Sequence, residues 1–342
     1  MPAPDFAPQL AQLQQQARRR RRVAHASACS TQLQVDGVDY LAFASNDYLG
    51  LANHPQLIAA AQAGAARWGV GAGSAHLVAG HSLAHEQLER RLAQFVGLAD
   101  ALLFATGYMA NLALITALLG RGDAVFADRL NHASLNDACL LARADFKRYP
   151  HNDLQRLESL LAASKAPRKL IVADAVFSMD GDLAPLDALL ALAERYDAWL
   201  YLDDAHGFGV LGAHGQGSLA HWRLQSPRLI YMATLGKAAG VAGAFVAASA
   251  DLIDWLVNKA HTYIYTTAQP PLLAEALMQS IELIEHEDWR RERLTSLIAQ
   301  LRQGCAALPW RLLPSLTPIQ PLLVGSSEAA LNLAAGLRQH GI

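Results

Sequence analysis

Lysine is scarce in this chain of 342 residues: Lys147, Lys165, Lys169, Lys237 and Lys259 are five among 28 basic residues. With a net charge of -2 there is no electrostatic footprint for nucleic acid. The one dense basic run, Arg18 to Arg22, reads as the solvated end of a helix or as a holder of an anionic substrate group. Cysteine is as rare. Cys29, Cys139 and Cys305 are odd in number, far apart and in no CxxC pair, which excludes a disulfide framework and a cysteine zinc site and suits a reducing cytoplasm. No segment reaches the ~18 uninterrupted apolar residues of a membrane span, and the opening residues lack an apolar core of signal-peptide length. Charge is also low, at 17% of residues against 52% hydrophobic, so the chain reads as globular and rich in core material.

The length allows two domains. An N-terminal arm, residues 1–45, holds an amphipathic helix from about Phe6 to Arg22 and strand-like segments from Gln32 to Ala44 around a turn at Asp36-Gly37. Residues 46–250 form a large domain in which helical periods such as Ala84 to Val96 and Leu186 to Arg195 alternate with short apolar runs. The runs are Ala101 to Ala105, Ala124 to Ala127, Leu170 to Ala175, Trp199 to Leu202, Leu229 to Met232 and Ala242 to Ala247. Continuous apolar runs of that length predict an α/β fold with a mostly parallel sheet covered on both faces. Residues 251–342 read as a smaller α+β domain with helices Glu275 to Glu287 and Arg290 to Leu308, a strand Ile319 to Val324 and a helix from Glu328.

Chemistry-bearing residues collect where the runs end. Four lysines sit in charged or loop-like surroundings, but Lys237, in Thr234-Leu235-Gly236-Lys237-Ala238-Ala239-Gly240, is flanked by small residues and followed by an apolar run. A partly dry pocket lowers an ammonium pKa, and a neutral amine is what Schiff-base chemistry needs. The run Trp199 to Leu202 ends in Asp203-Asp204-Ala205-His206-Gly207. A buried lysine with an Asp at a strand end is the pair that pyridoxal phosphate requires, the amine for its aldehyde and the carboxylate for its pyridine nitrogen. The alternative is an ordinary strand end with a helix cap.

Other motifs are weaker. Gly207 to Gly212 matches GxGxxG, but no helical pattern starts there and no acidic residue lies between Asp204 and Asp251 to hold a ribose, which argues against a dinucleotide. Gly236-Lys237 lacks the remaining residues of a phosphate-cradling loop. His81 and His85 are four apart without the glutamate of a zinc protease and read as surface histidines at a helix start. Thr106-Gly107-Tyr108 follows a run and opens a helix, a geometry that suits a phosphate. His132 follows another run and reads as a structural histidine or as one placed against a pyridine ring. Ser178 ends the run begun at Leu170 and reads by itself as a turn former.

Taken together, Ser45-Asn46-Asp47-Tyr48-Leu49-Gly50-Leu51, Asn131 to Ser134, Phe177 to Asp182, Asp203 to Gly207 and Thr234 to Lys237 resemble the α-oxoamine synthases, a subgroup of fold-type-I pyridoxal-phosphate enzymes, over about Arg18 to Ile342. The branch it is most similar to condenses L-alanine with pimeloyl-CoA or pimeloyl-acyl carrier protein, losing carbon dioxide, in biotin biosynthesis; Arg148 to Asp153 weigh toward that branch. The resemblance implies pyridoxal 5'-phosphate linked to Lys237, with Asp203 on the pyridine nitrogen, His206 on the ring phenolate, His132 stacked on the ring and Ser178 in contact with the cofactor. Gly107, Tyr108 and Thr234 are implied on the phosphate side. Arg20 is implied to meet the acyl substrate and Asn46 to line the site. Thr266 or Thr267 is implied to reach the other subunit's phosphate across a homodimer. It further implies a segment beyond Ile342 carrying an arginine for the amino acid carboxylate and a threonine near the acyl chain. Gly71-Ala72-Gly73-Ser74 departs from the subgroup's usual GxGGS. Glycine with acetyl-CoA, serine with a long acyl thioester, or a catalytically silent relative acting as a scaffold are the competing expectations.

Overall fold

The computed structural model describes residues 5–342. Two short strands of the arm, β1 (Gln32–Val35) and β2 (Val38–Leu41), pair as an antiparallel hairpin. The central sheet has seven strands: β3 (Asp100–Phe104), β4 (Ala124–Asp128), β5 (Asp145–Tyr149), β6 (Lys169–Asp174), β7 (Trp199–Asp203), β8 (Leu229–Thr234) and β9 (Ala244–Ala248). Their spatial order is β3-β9-β8-β7-β6-β4-β5, and β9 runs opposite to the other six strands, which share one direction. The expected mostly parallel α/β sheet is therefore present.

Alternation along each strand splits the core in two, because successive side chains point to opposite faces. On one face Phe126, Ile171, Leu200, Leu202 and Phe245 pack with helices Leu83–Val96, Leu186–Arg195 and Pro271–His286. On the other face Val125, Val172, Tyr201, Met232 and Val246 pack with helices Gly107–Leu118, Ala133–Leu141 and Ala250–Lys259. Each large apolar side chain fully removed from water there contributes about 1.5–3 kcal/mol. This rigid two-sided core fixes the carboxyl ends of β3, β4, β6, β7 and β8 along one edge.

Several expected boundaries move, each for a physical reason. The first helix spans Ala7–Gln15 and stops before the arginine run, because Ala17 takes a left-handed φ of 54° and five adjacent positive charges disfavour a continuing helix. β5 was not foreseen: Asp145-Phe146-Lys147-Arg148-Tyr149 is polar because it forms the sheet edge. The strand expected at Ile319 to Val324 shrinks to β11 (Leu322–Leu323), paired antiparallel with β10 (Arg311–Leu312).

The reading of His81 and His85 as surface histidines is corrected for His85. This ring is buried at the start of helix Leu83–Val96, where its Nδ1 accepts the Ser82 N–H at 3.1 Å as part of a capping box. Its Nε2 meets the Gln269 carbonyl at 2.9 Å. A histidine three residues after the cap thus does the work usually given to Glu or Gln. Among the described residues no helix is long and apolar enough to cross a membrane.

One glycine ties two motif segments together. Gly240 closes the Lys237 loop with φ +69°, and a Cβ there would lie 2.6 Å from the Ala52 N and 2.7 Å from the Leu51 carbonyl carbon. Gly240→Ala is expected to lower the thermal midpoint of the protein and displace Lys237, since the left-handed backbone alone costs about 1–2 kcal/mol and the overlap adds to it. A variant with the wild-type midpoint would show that the loop does not rest on the Leu51-Ala52 backbone as described.

Candidate active site

At the carboxyl edge the strand ends enclose a cavity of about 210 Å³. Gly107 and Tyr108 enter it after β3, His132 after β4, Asp174, Val176 and Ser178 from β6 onward, Asp203, Ala205 and His206 from β7, and Thr234 and Lys237 from β8. Parallel strands bring together residues spread over about 130 positions of sequence because side chains beyond the strand ends have no ladder partner and face a shared crevice.

The floor is a hydrogen-bonded lattice. Asp203 Oδ2 accepts from Asn111 Nδ2 at 2.9 Å, and its Oδ1 accepts the Ala205 N–H at 3.1 Å. Asn111 also donates to Ser134 Oγ at 2.8 Å, and its Oδ1 accepts from the buried Tyr201 hydroxyl at 2.5 Å. His132 is set by Asp174, whose Oδ2 accepts the His132 N–H at 3.0 Å, and its Nδ1 lies 2.7 Å from Ser134 Oγ. Asn131 locks that turn to β6 by donating to the Val172 carbonyl at 2.8 Å and accepting the Asp174 N–H at 3.1 Å. His151 spans Asp128 at 3.1 Å and Asp182 at 2.8 Å, tying the end of β4 to the turn that carries Ser178.

Lys237 Nζ lies 2.8 Å from His206 Nε2. Burial lowers the Lys237 pKa from its ordinary value, opposed by the attraction of Asp203 and Asp174. His206 is pushed down to about 3, chiefly by burial and then by Lys237 and His132. Asp174 is raised well above the carboxylate range by burial first and the neighbouring Asp203 second, and its Oδ1 is buried without a partner. The site thus holds a neutral imidazole beside an amine primed to lose its proton.

Beneath the site, Asp204 is fully buried and raised to about 7, because desolvation outweighs the Ser218 N–H and Tyr231 hydroxyl that donate to Oδ2 at 2.6 Å and 2.8 Å. A carboxyl raised in the folded state stabilises the protein fully below the unfolded pKa, near 3.9, and loses that stabilisation as pH rises toward about 7. Asp204→Asn keeps the accepting oxygen and removes the titration. Its urea midpoint is therefore expected to gain on wild type between pH 4 and 7, and parallel midpoint curves would contradict the assignment.

Of the residues singled out from sequence, Lys237, Asp203, His206, His132, Ser178, Gly107, Tyr108 and Thr234 line this one cavity. The Thr234 hydroxyl is engaged within its own loop, donating to the Gly243 carbonyl at 3.0 Å. Arg20 is exposed on the arm, and Thr266 and Thr267 stand outside the cavity of this chain. Asn46 is exposed and outside the cavity lining, and it connects to the site through Tyr48, whose hydroxyl donates to Asn46 Oδ1 at 3.2 Å. Sequence reasoning missed Asn111, Ser134 and Asp174. Asn111 opens the helix after Tyr108 and Asp174 ends an apolar run, so a polar residue interrupting an apolar pattern was the available signal.

The aminotransferase class I and II family model matches residues 38–342. An 8-amino-7-oxononanoate synthase from Chromobacterium violaceum is 62% identical over 98% of this chain and 88% of its own length, and one from Nitrosomonas eutropha is 61% identical over 99% and 88%. A solved serine palmitoyltransferase from S. paucimobilis with a bound PLP–myriocin aldimine superposes with a TM-score of 0.93 at 28% identity, over 98% of this chain and 89% of the other. The solved 8-amino-7-oxononanoate synthase of Francisella tularensis gives 0.77 at 31% identity, over 88% and 86%. By its sheet, its family match and its near relatives alike, the chain belongs to the pyridoxal-phosphate-dependent aminotransferase class I and II family, in the group of the 8-amino-7-oxononanoate synthases.

Proposed function

We propose that the protein condenses L-alanine with a pimeloyl thioester, on CoA or acyl carrier protein, releasing carbon dioxide and 8-amino-7-oxononanoate. The observation that carries this reading is the desolvated Lys237 amine, 2.8 Å from a neutral His206, in the same cavity as Asp203.

These residues fit pyridoxal phosphate. Lys237 supplies the amine for its aldehyde and Asp203, fixed by Asn111 and Ala205, a carboxylate for a pyridinium nitrogen. His132 offers a ring face, and the amino end of helix Gly107–Leu118, with Gly107 and Tyr108 at the cavity, suits a phosphate. Asp174, whose Oδ1 is buried without a partner, lines the same cavity. When bound, the cofactor supplies an electron sink for the bonds broken at the amino acid α-carbon.

The chain's own part is to hold and move protons. Lys237, whose charged form burial disfavours, takes a proton from the α-carbon of alanine once its amine is free and later returns one to the product. His206 stays uncharged beside it and so does not compete as a cation. Asp203 presents its carboxylate oxygens where the ring nitrogen needs a counter-ion, and the apolar walls formed by Val176 and Met232 limit water. In the same reading Arg20 receives the acyl carboxylate, Asn46 borders the substrate, and Thr266 or Thr267 serves the second site of a cytoplasmic homodimer.

Serine palmitoyltransferase is favoured by backbone likeness, but identities of 28% against 62% weigh toward alanine and a pimeloyl chain. Mass analysis of products from cofactor-loaded protein decides: 8-amino-7-oxononanoate from L-alanine and pimeloyl-CoA is expected. Faster turnover of glycine with acetyl-CoA, or of serine with palmitoyl-CoA, would overturn the substrate assignment.

A further inference from the structure

Both ring nitrogens of His206 are engaged. Nε2 lies 2.8 Å from Lys237 Nζ, and Nδ1 lies 2.7 Å from the hydroxyl oxygen of Tyr48. That hydroxyl is in turn 3.2 Å from Asn46 Oδ1. A neutral imidazole carries a single N–H, so the two contacts on His206 are of opposite sense: where one nitrogen donates, the other accepts. Two complete arrangements follow.

In the first, Lys237 donates to Nε2, Nδ1–H donates to the Tyr48 oxygen, and the Tyr48 hydroxyl donates to Asn46. In the second, the Tyr48 hydroxyl turns and donates to Nδ1, while Nε2–H points at Lys237, which accepts only if its amine is neutral. Passing from a protonated Lys237 in the first to the second, Nζ gives a proton to Nε2 and Nδ1 gives one to the Tyr48 oxygen. The original Tyr48 hydroxyl proton leaves to solvent beside the exposed Asn46, so one proton is lost overall.

We infer that Tyr48 is a positioning residue that acts through His206: the direction of its hydroxyl selects which imidazole nitrogen carries hydrogen, and hence whether Lys237 meets an acceptor or a donor. Tyr48 is suited to this because it sits 158 positions from His206 in sequence, on the segment whose Asp47 carboxylate accepts the Leu51 and Ala52 N–H groups at 2.8 Å and 3.1 Å. Those bonds hold the hydroxyl in place against a loop already pinned at Gly240. The titratable groups facing the pair from the other elements are Asp203, Asp174 and His132. They bias the charge of Lys237, whereas Tyr48 alone among the described residues bonds to His206 Nδ1.

The inference rests on Lys237 as the reacting amine, but its test does not need the cofactor. Nitrogen-15 NMR of the histidine-labelled, cofactor-free protein, with the His206 signals assigned by their loss in His206→Gln, reads the protonation of each ring nitrogen. In Tyr48→Phe, which keeps the ring and removes the hydroxyl, both His206 nitrogen shifts are expected to move toward each other as the two tautomers interconvert. Asn46→Ala, which frees the hydroxyl to turn toward Nδ1, is expected to move the pair toward the Nε2–H pattern, and it decides the matter if Tyr48→Phe fails to fold. His206 shifts unchanged in whichever variants fold would overturn the inference. Failure of borohydride to trap cofactor on Lys237 of the wild type would instead overturn the assignment of the reactive amine, so the two failures are distinguishable.

Discussion

Lys237→Ala is expected to lower turnover of L-alanine with pimeloyl-CoA by at least about four orders of magnitude, because one side chain serves both as covalent tether and as base, and a base alone contributes about 10²–10⁴-fold. The replacement leaves the sheet intact: Lys237 is half-buried in a loop, and its hydrogen bond is to His206. The loss therefore belongs to chemistry. Lys237→Arg is expected to be equally inactive, since a guanidinium stays charged where a neutral amine is needed. Steady-state kinetics of the saturated variants check this, and an alanine variant within tenfold of wild type would contradict it.

Asp203→Asn is expected to lower turnover by about 10²–10³-fold while cofactor remains bound. That is the size of effect seen when a preorganised electrostatic partner is removed from a reacting centre. The surroundings give a second reason. Asp203 uses both oxygens as acceptors, from Asn111 Nδ2 and the Ala205 N–H, so an amide nitrogen in either place faces a donor. Removing the charge also takes away the second cause, after burial, that raises the Asp174 pKa, so the neighbouring carboxyl is expected to shift back toward its ordinary range. Turnover within threefold of wild type would show that no charge at this position is required.

The sheet was legible because β4, β6, β7, β8 and β9 are buried on both faces and so read as unbroken apolar runs. The ligand edge was legible for a related reason: Asp203, His206, Ser178 and His132 stand just where such runs stop. β5 escaped because an edge strand carries charge, and its Asp145, Lys147 and Arg148 resemble a loop. Asn111 and Tyr48 escaped differently. Each is an ordinary polar residue whose role comes from a partner 92 or 158 positions away, and local pattern holds no record of such pairing. Burial of His85 was hidden because polarity alone does not tell a capping side chain from a solvated one.

The central claim is that the Lys237 amine carries the cofactor aldehyde. Reducing the protein with borohydride in the presence of pyridoxal phosphate and mapping the modified peptide by mass tests it most directly. A single pyridoxyl group on the peptide containing Lys237, absent from Lys237→Ala, is the predicted result. Label on Lys147, Lys165, Lys169 or Lys259 with Lys237 unmodified would contradict it.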